Sequence, residues 1–256
     1  MSLNECNPVK NEIIDLFNSK IKGRVPYLSG SNVRHDGKCG HWLEREMGLT
    51  PNGNNCPDFK GYEMKTGTKS KTTFGDWSPD YFIYKDPNFG AIGRSAFLKT
   101  FGKPNPKKNN RFSWSGLPAP KVQYINDFGQ ILVIDSDNNI LAKYHFSQDK
   151  RPDKSKIIPE SMQIENLVIA RWDKDSISRK LETKFNQKGW FKCNVDNQGR
   201  YVSIVFGAPL TFTRWINLVR KGVVFFDSGM YDGNPRPYAN WRANNNHWDD
   251  MIVSKH

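Results

Sequence analysis

Residues 57 to 66 read Pro57-Asp58-Phe59-Lys60-Gly61-Tyr62-Glu63-Met64-Lys65-Thr66, which places two carboxylates and a lysine in the spacing Asp-x4-Glu-x-Lys. In a strand, alternate side chains point to opposite faces, so Glu63 and Lys65 share one face. Gly61 can supply a tight turn that returns Asp58, on the preceding strand, to the side of Glu63. The stretch therefore predicts a short hairpin on which three charged groups converge.

This combination of charges suits metal-dependent phosphodiester hydrolysis. Mg²⁺ binds through one or two carboxylates plus substrate phosphate oxygens and keeps several waters, so we expect Asp58 and Glu63 to hold the metal. The carbonyl of Met64 is a candidate third ligand. Such a metal lowers the pKa of a bound water, and Lys65 can favour the deprotonated form of that water and offset phosphate charge. The alternative is an ordinary exposed strand with a Glu/Lys pair, a pattern that arises by chance in basic proteins.

The segment upstream has the pattern of a helix with one buried face. Its apolar positions fall at i, i+3, i+4 and i+8, at Cys39, Trp42, Leu43 and Met47. Gly48 follows as a C-cap signal. Glu44 lies at the edge of this apolar stripe, where a carboxylate can approach a neighbouring strand. The alternative for Glu44 is a solvated helix glutamate.

The run Gly40-His41-Trp42-Leu43-Glu44, the Gly/Asn-rich loop after it and the motif of residues 57 to 66 together resemble the MutH-like branch of the PD-(D/E)XK nucleases. The closest resemblance is to the monomeric MvaI/BcnI type of type II restriction endonuclease, over about residues 36 to 68. In that family a glutamate on the first core helix precedes the motif aspartate, and Glu44 stands at the matching position. The resemblance thus implies a catalytic set of four residues: Glu44, Asp58, Glu63 and Lys65.

MutH itself differs from this sequence in two ways. It has a longer gap between its aspartate and glutamate, whereas the gap from Asp58 to Glu63 is compact, as in the MvaI type. It also carries a lysine ahead of the helix glutamate, for which Lys38 is only an approximate match. These differences favour a restriction enzyme over a mismatch-repair nicking enzyme.

The resemblance implies an α/β fold with a PD-(D/E)XK core, a mixed sheet flanked by helices, and a second lobe that forms a DNA cleft. It implies Mg²⁺-dependent cleavage of double-stranded DNA, with Mn²⁺ able to substitute, leaving a 5′-phosphate. A short CC-N-GG type of site, a monomeric enzyme and a cognate DNA methyltransferase encoded nearby are further expectations. Two alternatives stay open: a MutH-like nicking endonuclease and a non-catalytic basic DNA-binding protein.

The composition agrees with a polyanionic partner. The formal net charge is +12 and the sequence pI is about 9.5, which suits a protein that neutralises phosphates. Cysteines at 6, 39, 56 and 193 have no zinc-binding spacing, so we expect reduced thiols. The sequence has no secretory leader, no membrane-length apolar run and no Walker A, Rossmann or G-x-S-x-G motif. A cytoplasmic location is expected.

Two basic segments are candidates for DNA-backbone contact. Lys69 and Lys71 follow the catalytic hairpin, and Lys107 and Lys108 lie in the Pro/Asn/Lys segment 103 to 111, which we expect to be a loop too polar to pack. The alternative for Lys69 and Lys71 is a solvated loop. We predict a catalytic lobe over residues 1 to 150 and a DNA-recognition lobe over residues 151 to 256, with strands that the lobes can share.

The stretch from 227 to 247 is a candidate for base recognition. After a predicted strand at 223 to 226, it is rich in the side chains that read the major groove, since Arg pairs with guanine, Asn with adenine and Asp with cytosine. We predict an irregular loop there, with four DNA-binding candidates: Asp227, Arg236, Arg242 and His247. The alternative is a surface loop in which Asn favours turns.

Overall fold

The computed structural model describes residues 7–27, 38–49, 55–66 and 70–256. The α-helices are α1 Pro8–Leu16, α2 Lys38–Glu46, α3 Gly93–Phe101, α4 Lys154–Ile157, α5 Lys174–Phe185, α6 Phe212–Arg220 and α7 Asn245–Asp250. The first strands are β1 Tyr62–Thr66, β2 Lys71–Asp76, β3 Tyr81–Phe82, β4 Lys103–Asn105, β5 Arg111–Trp114, β6 Phe128–Ile134 and β7 Ile140–Asp149. The remaining strands are β8 Leu167–Trp172, β9 Gly189–Val195, β10 Tyr201–Gly207, β11 Val224–Ser228, β12 Met230–Tyr231, β13 Ala239–Asn244 and β14 Ile252–Lys255.

The chain divides into two compact units that alternate along the sequence. The first unit comprises Met1–Thr72, Leu181–Thr211 and Asn245–His256, and the second comprises Thr73–Lys180 and Phe212–Asn244. Residue 150 lies inside the second unit of this division, and the boundary at 150 between a catalytic lobe and a recognition lobe stays a prediction. The assignment of catalysis to one part and recognition to the other stays a prediction.

The first unit contains a four-stranded sheet in the order β1-β9-β10-β14. β1 runs parallel to β9, with Glu63 opposite Trp190 and Lys65 opposite Lys192, whereas the other pairs are antiparallel. Parallel neighbours need a long crossover connection. Here residues 73 to 180 of the second unit lie within that connection, and α5 leads the chain back to β9.

The two faces of β1 have different surroundings. Tyr62 and Met64 belong to a buried apolar cluster with residues of α1 and α2, such as Ile13 and Leu43. On the opposite face, the Lys65 ammonium lies 5.0 Å from the centroid of the Phe185 ring at the end of α5. The predicted alternation of side chains along this strand is therefore confirmed.

The second unit is built from small sheets around tryptophans. β3-β8-β7-β6 form one antiparallel sheet, and two three-stranded sheets have the orders β11-β13-β2 and β12-β5-β4. The Trp241 ring lies 5.3 Å from both Trp172 and Trp215, centroid to centroid. Edge-to-face aromatic contacts of this kind dominate the core of the unit.

Several predicted elements need correction. Segment 103 to 111 is not a loop, because β4 and β5 pair as an antiparallel hairpin. Tyr81–Phe82 is extended, and Ile83–Lys85 forms a 3-10 turn directly after it. The stretch 227 to 247 is not one irregular loop either, since it contains most of β11, all of β12 and β13, and the start of α7.

Two helix ends are fixed by local contacts. The side chain of Asn7 accepts a hydrogen bond from the Lys10 amide at the start of α1, and Gly48, the predicted C-cap of α2, has φ +73°. Among the described residues, Cys39 and Cys193 carry free thiols. No helix in the described part of the chain is both long enough and apolar enough to cross a membrane.

Candidate active site

The turn before β1 is a two-residue turn between Phe59 and Tyr62. These two residues exchange both backbone hydrogen bonds, at 2.9 and 2.8 Å. Lys60 and Gly61, between them, have φ +43° and +94°, as type I′ turns require. The predicted role of Gly61 is confirmed, but Asp58 precedes this turn and is not part of a strand.

Asp58 is fixed beside β1 by a backbone contact. The Met64 amide donates a hydrogen bond of 2.9 Å to Asp58 Oδ2. This bond holds the carboxyl group next to the strand that carries Glu63, as the sequence predicted. The proposed use of the Met64 carbonyl as a metal ligand stays a prediction.

Glu63 is the centre of the charged cluster. Its side chain is 3% exposed, and Oε1 accepts a hydrogen bond from Lys65 Nζ at 2.8 Å and forms an ion pair with Lys184 Nζ at 3.1 Å. Its other oxygen, Oε2, is buried and has no hydrogen-bond partner among the described residues. A buried acceptor left unpaired costs about 1–3 kcal/mol, and more when charged. A cation bound at Oε2 would remove that cost, so this carboxylate fits a metal ligand.

The carboxyl groups influence one another. Burial, with the negative charge of Glu63 as the next cause, raises the pKa of Asp58 to about 7, against the opposing effect of Lys65. Burial also raises the pKa of Glu44, where His41 and Lys184 act in the opposite direction to Glu63. Glu44 on α2 thus lies within the electrostatic field of Glu63, which supports its predicted membership of the site.

Lys65 is enclosed by protein. Burial lowers the pKa of its ammonium group, and Glu63 acts in the opposite direction. Its nitrogen lies over the rings of Phe185 and Trp248, at 5.0 and 6.0 Å from their centroids. The side chain is therefore held in one place beside Glu63, where it can act on a group bound to that carboxylate.

Within the described residues, no three His, Cys, Asp or Glu side chains come together as a ready-made metal site. Asp58 and Glu63 are the two predicted carboxylate ligands, and Glu44 does not join them in such a group of three. Two carboxylates supplemented by water and substrate phosphate are the usual protein contribution to Mg²⁺ binding. The donor set fits a hard divalent cation better than zinc, which prefers Cys and His.

Lys184 is a site residue that the sequence analysis missed. It lies in the last turn of α5 with its side chain 19% exposed. A signal was present, because Lys184 stands seven residues after Ile177 and three after Leu181, on the apolar stripe of the helix. A lysine on that stripe is costly to bury without an anionic partner, and Glu63 is that partner.

Lys192 is a second missed residue. It lies opposite Lys65 in the parallel pairing of β1 and β9, so both side chains belong to the same face of the sheet. Its side chain is buried, and Nζ pairs with the half-exposed carboxylate of Asp249 at 2.6 Å. Three lysines, Lys65, Lys184 and Lys192, therefore belong to the active-site side of the first unit.

The candidates for DNA contact are distributed over both units. Lys69 lies outside the described residues, and Lys71 is half-buried on β2. Lys107 and Lys108 are exposed in a 3-10 turn between β4 and β5. His247 lies on α7 and belongs to the first unit. The other three predicted base readers, Asp227, Arg236 and Arg242, belong to the second unit.

Two of the predicted base readers are adjacent. Arg242 on β13 and Asp227 on the neighbouring β11 form an ion pair of 3.2 Å. Arg242 Nε is buried and has no hydrogen-bond partner within the described part of the chain. Arg236 lies in the turn between β12 and β13 with its side chain 82% exposed. The structure thus places Asp227 and Arg242 on strands, and only Arg236 in a turn.

A mixed sheet whose edge strand carries a Glu-x-Lys motif beside a half-buried aspartate is the arrangement expected of a metal-dependent nuclease. Residues 25 to 256 match the family model described as LlaMI restriction endonuclease. A curated relative, the type II restriction enzyme ScrFI of Lactococcus lactis subsp. cremoris, is 47% identical over 98% of this chain and 99% of its own length. The chain belongs to the LlaMI restriction endonuclease family.

The fold is also found in a solved structure. The complex of restriction endonuclease MvaI with its cognate DNA substrate matches all of this chain and 98% of the MvaI chain, with a TM-score of 0.59 and 16% sequence identity. The α/β fold of the MvaI type, inferred from the sequence, is therefore confirmed. The chain is a type II restriction endonuclease, and the alternative of a non-catalytic DNA-binding protein is set aside by the family assignment.

Proposed function

We propose that this enzyme cuts double-stranded DNA at a short site of the CC-N-GG type by Mg²⁺-dependent hydrolysis, leaving a 5′-phosphate and a 3′-hydroxyl. The observation that carries the proposal is the state of Glu63, with one carboxylate oxygen shared by two lysines and the other buried without a partner. The type of site comes from the resemblance to the MvaI/BcnI enzymes. We further propose that the enzyme acts as a monomer in the cytoplasm, with a methyltransferase encoded nearby.

Each residue has a distinct role in this proposal. Asp58 and Glu63 would hold Mg²⁺, with the Met64 carbonyl as a third ligand and Mn²⁺ as a substitute ion. When bound, the metal supplies an acidified water and stabilises charge on the phosphate. Lys65, fixed against Glu63, favours the deprotonated water. Glu44, on α2, adds negative charge near Glu63.

Lys184 and Lys192 extend the role of Lys65. The scissile phosphate gains negative charge as it is attacked, and preorganised cations at that point lower the barrier. Lys184 already contacts Glu63, so it lies where a phosphate bound to the same metal would arrive. Lys192 is held by the half-exposed Asp249, which a DNA phosphate could replace as its partner.

The proposal assigns backbone and base contacts to the basic residues. Lys69, Lys71, Lys107 and Lys108 would neutralise phosphates, which fixes position without reading sequence. Arg242, Arg236, Asp227 and His247 would read base edges. The Asp227–Arg242 pair supports this assignment, because adjacent acceptor and donor groups suit the cytosine and guanine of one G·C-rich half-site.

The test is digestion of phage DNA by wild-type enzyme and Glu63→Gln, followed by run-off sequencing of the products. Wild type should give one site and one cut position with Mg²⁺, whereas Glu63→Gln should bind the same duplex and leave it uncut. Glu160→Gln is the matched control, since Glu160 is an exposed carboxylate of the second unit. Cleavage at unrelated sequences would contradict the CC-N-GG site, and nicking only with a partner ATPase would favour the MutH-like alternative.

A further inference from the structure

The second unit contains a long cationic segment. Residues 87 to 126 include seven Lys or Arg and no Asp or Glu. They are Arg94, Lys99, Lys103, Lys107, Lys108, Arg111 and Lys121. Within the described residues none of the seven forms an ion pair with a carboxylate. Unpaired cations concentrated in one segment favour a polyanionic partner there.

One member of the segment is held in place. The guanidinium carbon of Arg111 lies 3.5 Å from the centroid of the Tyr231 ring. The two residues share a face of the β12-β5-β4 sheet, because Tyr231 is opposite Ser113 and Ser113 is two residues beyond Arg111. Arg111 Nε is buried and has no hydrogen-bond partner among the described residues. Packing against the ring, and not a carboxylate, therefore fixes this guanidinium.

The β4–β5 hairpin carries two kinds of basic side chain, the exposed lysines of its turn and the half-buried Arg111. Lys107 and Lys108 are exposed in the turn of the β4–β5 hairpin, where flexible side chains can reach phosphates. Arg111 is half-buried at the start of β5, and its guanidinium group is held against the Tyr231 ring. A planar guanidinium fixed by an aromatic ring loses little freedom when it forms two parallel hydrogen bonds. Guanine, through O6 and N7, is the base that offers two acceptors with that spacing.

We propose that Arg111, held against Tyr231, reads one guanine of the recognition site, while Lys107 and Lys108 contact the neighbouring DNA backbone. This inference rests on the proposed function, because it requires a specific duplex as substrate. It adds to the candidates on β11 to α7 a base reader from a different hairpin. The ring of Tyr231 acts as a positioning group for Arg111.

The test compares the cleavage of the cognate duplex with that of duplexes in which each G·C pair is replaced in turn. Arg111→Lys keeps the positive charge but loses the planar guanidinium with its two parallel donors. The preference of this variant for guanine over the replacement base should fall by roughly 10- to 100-fold at one position of the site and stay unchanged at the others. Tyr231→Leu should lower discrimination at the same position, whereas Tyr231→Phe should preserve it. Lys107→Ala should weaken binding of all sequences equally and reduce the salt slope by about 1.

The outcomes are distinguishable. If wild type cuts specifically and Arg111→Lys discriminates as well as wild type, the inference is wrong while the proposed function stands. If Arg111→Lys and Arg111→Gln lose affinity equally for every sequence, Arg111 is a phosphate contact and not a guanine reader. If wild type cuts no DNA, the proposed function itself fails. Thermal melting of each variant identifies any loss that comes from misfolding, and Tyr231→Phe provides a folded comparison.

Discussion

Lys184→Ala tests the least expected residue of the active site. The change removes an ammonium group 3.1 Å from Glu63 Oε1 and leaves Lys65 as the cation on that oxygen. Opposite charges at this distance attract by roughly 5 kcal/mol at an effective dielectric constant of about 20. Lys184 therefore has a substantial share in the charge balance of the site.

Two effects of opposite sign should follow. Loss of a cation placed to offset phosphate charge should reduce the single-turnover cleavage rate by roughly 10²- to 10³-fold. The Mg²⁺ concentration at half-maximal rate should fall, because a positive charge that opposes the metal at Glu63 has gone. The measurement is single-turnover cleavage of a radiolabelled cognate duplex over a range of Mg²⁺ concentrations. Lys184→Arg should recover part of the rate.

Lys188→Ala is the matched control, since Lys188 is exposed four residues further along and the change in net charge is identical. It should leave the rate within a few-fold of wild type. A Lys184→Ala enzyme that folds, cleaves at the wild-type rate and needs more Mg²⁺ would refute the electrostatic argument, and Lys184 would then have only a packing role.

Three further predictions concern stability and pH. Because the pKa of Asp58 is raised to about 7, the metal-free folded chain retains a proton that the unfolded chain loses near pH 4, so its unfolding free energy should decline between about pH 4 and 7. Urea denaturation in chelator should show that slope, and Asp58→Asn should reduce it. The side chain of Asp149 has no exposed surface; burial acts to raise its pKa, but the contacts with Arg151 outweigh burial and lower it. The ionised carboxylate therefore stabilises the folded chain above about pH 4, and this contribution to the unfolding free energy is lost as the pH falls further. Asp149→Asn should cost about 3–5 kcal/mol at pH 7, and a loss below 1 kcal/mol would contradict a buried ion pair. Gly61→Ala, at φ +94°, should cost about 1–2 kcal/mol and lower activity by displacing Asp58, whereas wild-type activity would show that the turn does not position that carboxylate.

The part of the site that the sequence predicted is local. The turn at Gly61 and the alternation of side chains from Tyr62 to Lys65 depend only on neighbouring residues. Turn geometry and the period of a strand were therefore enough to predict both. Lys184 and Lys192 come from elements far along the chain, and the parallel pairing of β1 with β9 has no local signal. The sequence carried only one signal for each residue. Lys184 stands on the apolar stripe of α5, and Lys192 stands within an apolar strand.

The errors in the second half have a similar origin. The chain returns to the first unit within α5, where hydrophobic periodicity continues without a break, so composition marks no boundary there. β13 was missed because its asparagines suggested turns. Its sequence, Ala239 to Asn244, in fact alternates buried Ala and Trp with outward Asn and Arg. Period-two burial was present but was outweighed by turn propensity.

The parallel pairing of β1 with β9 also bears on the order in which the candidate site can be assembled as the chain is synthesised. Asp58, Glu63 and Lys65 leave the ribosome early, but the strand beside β1 and the lysine that shares Glu63 follow only after residue 180. Closing such a long loop delays formation of the contact. The last strand of this sheet, β14, ends at Lys255. We therefore expect a chain synthesised only as far as residue 180 to lack the completed candidate site, because neither β9 nor Lys184 would be present beside Glu63 and Lys65.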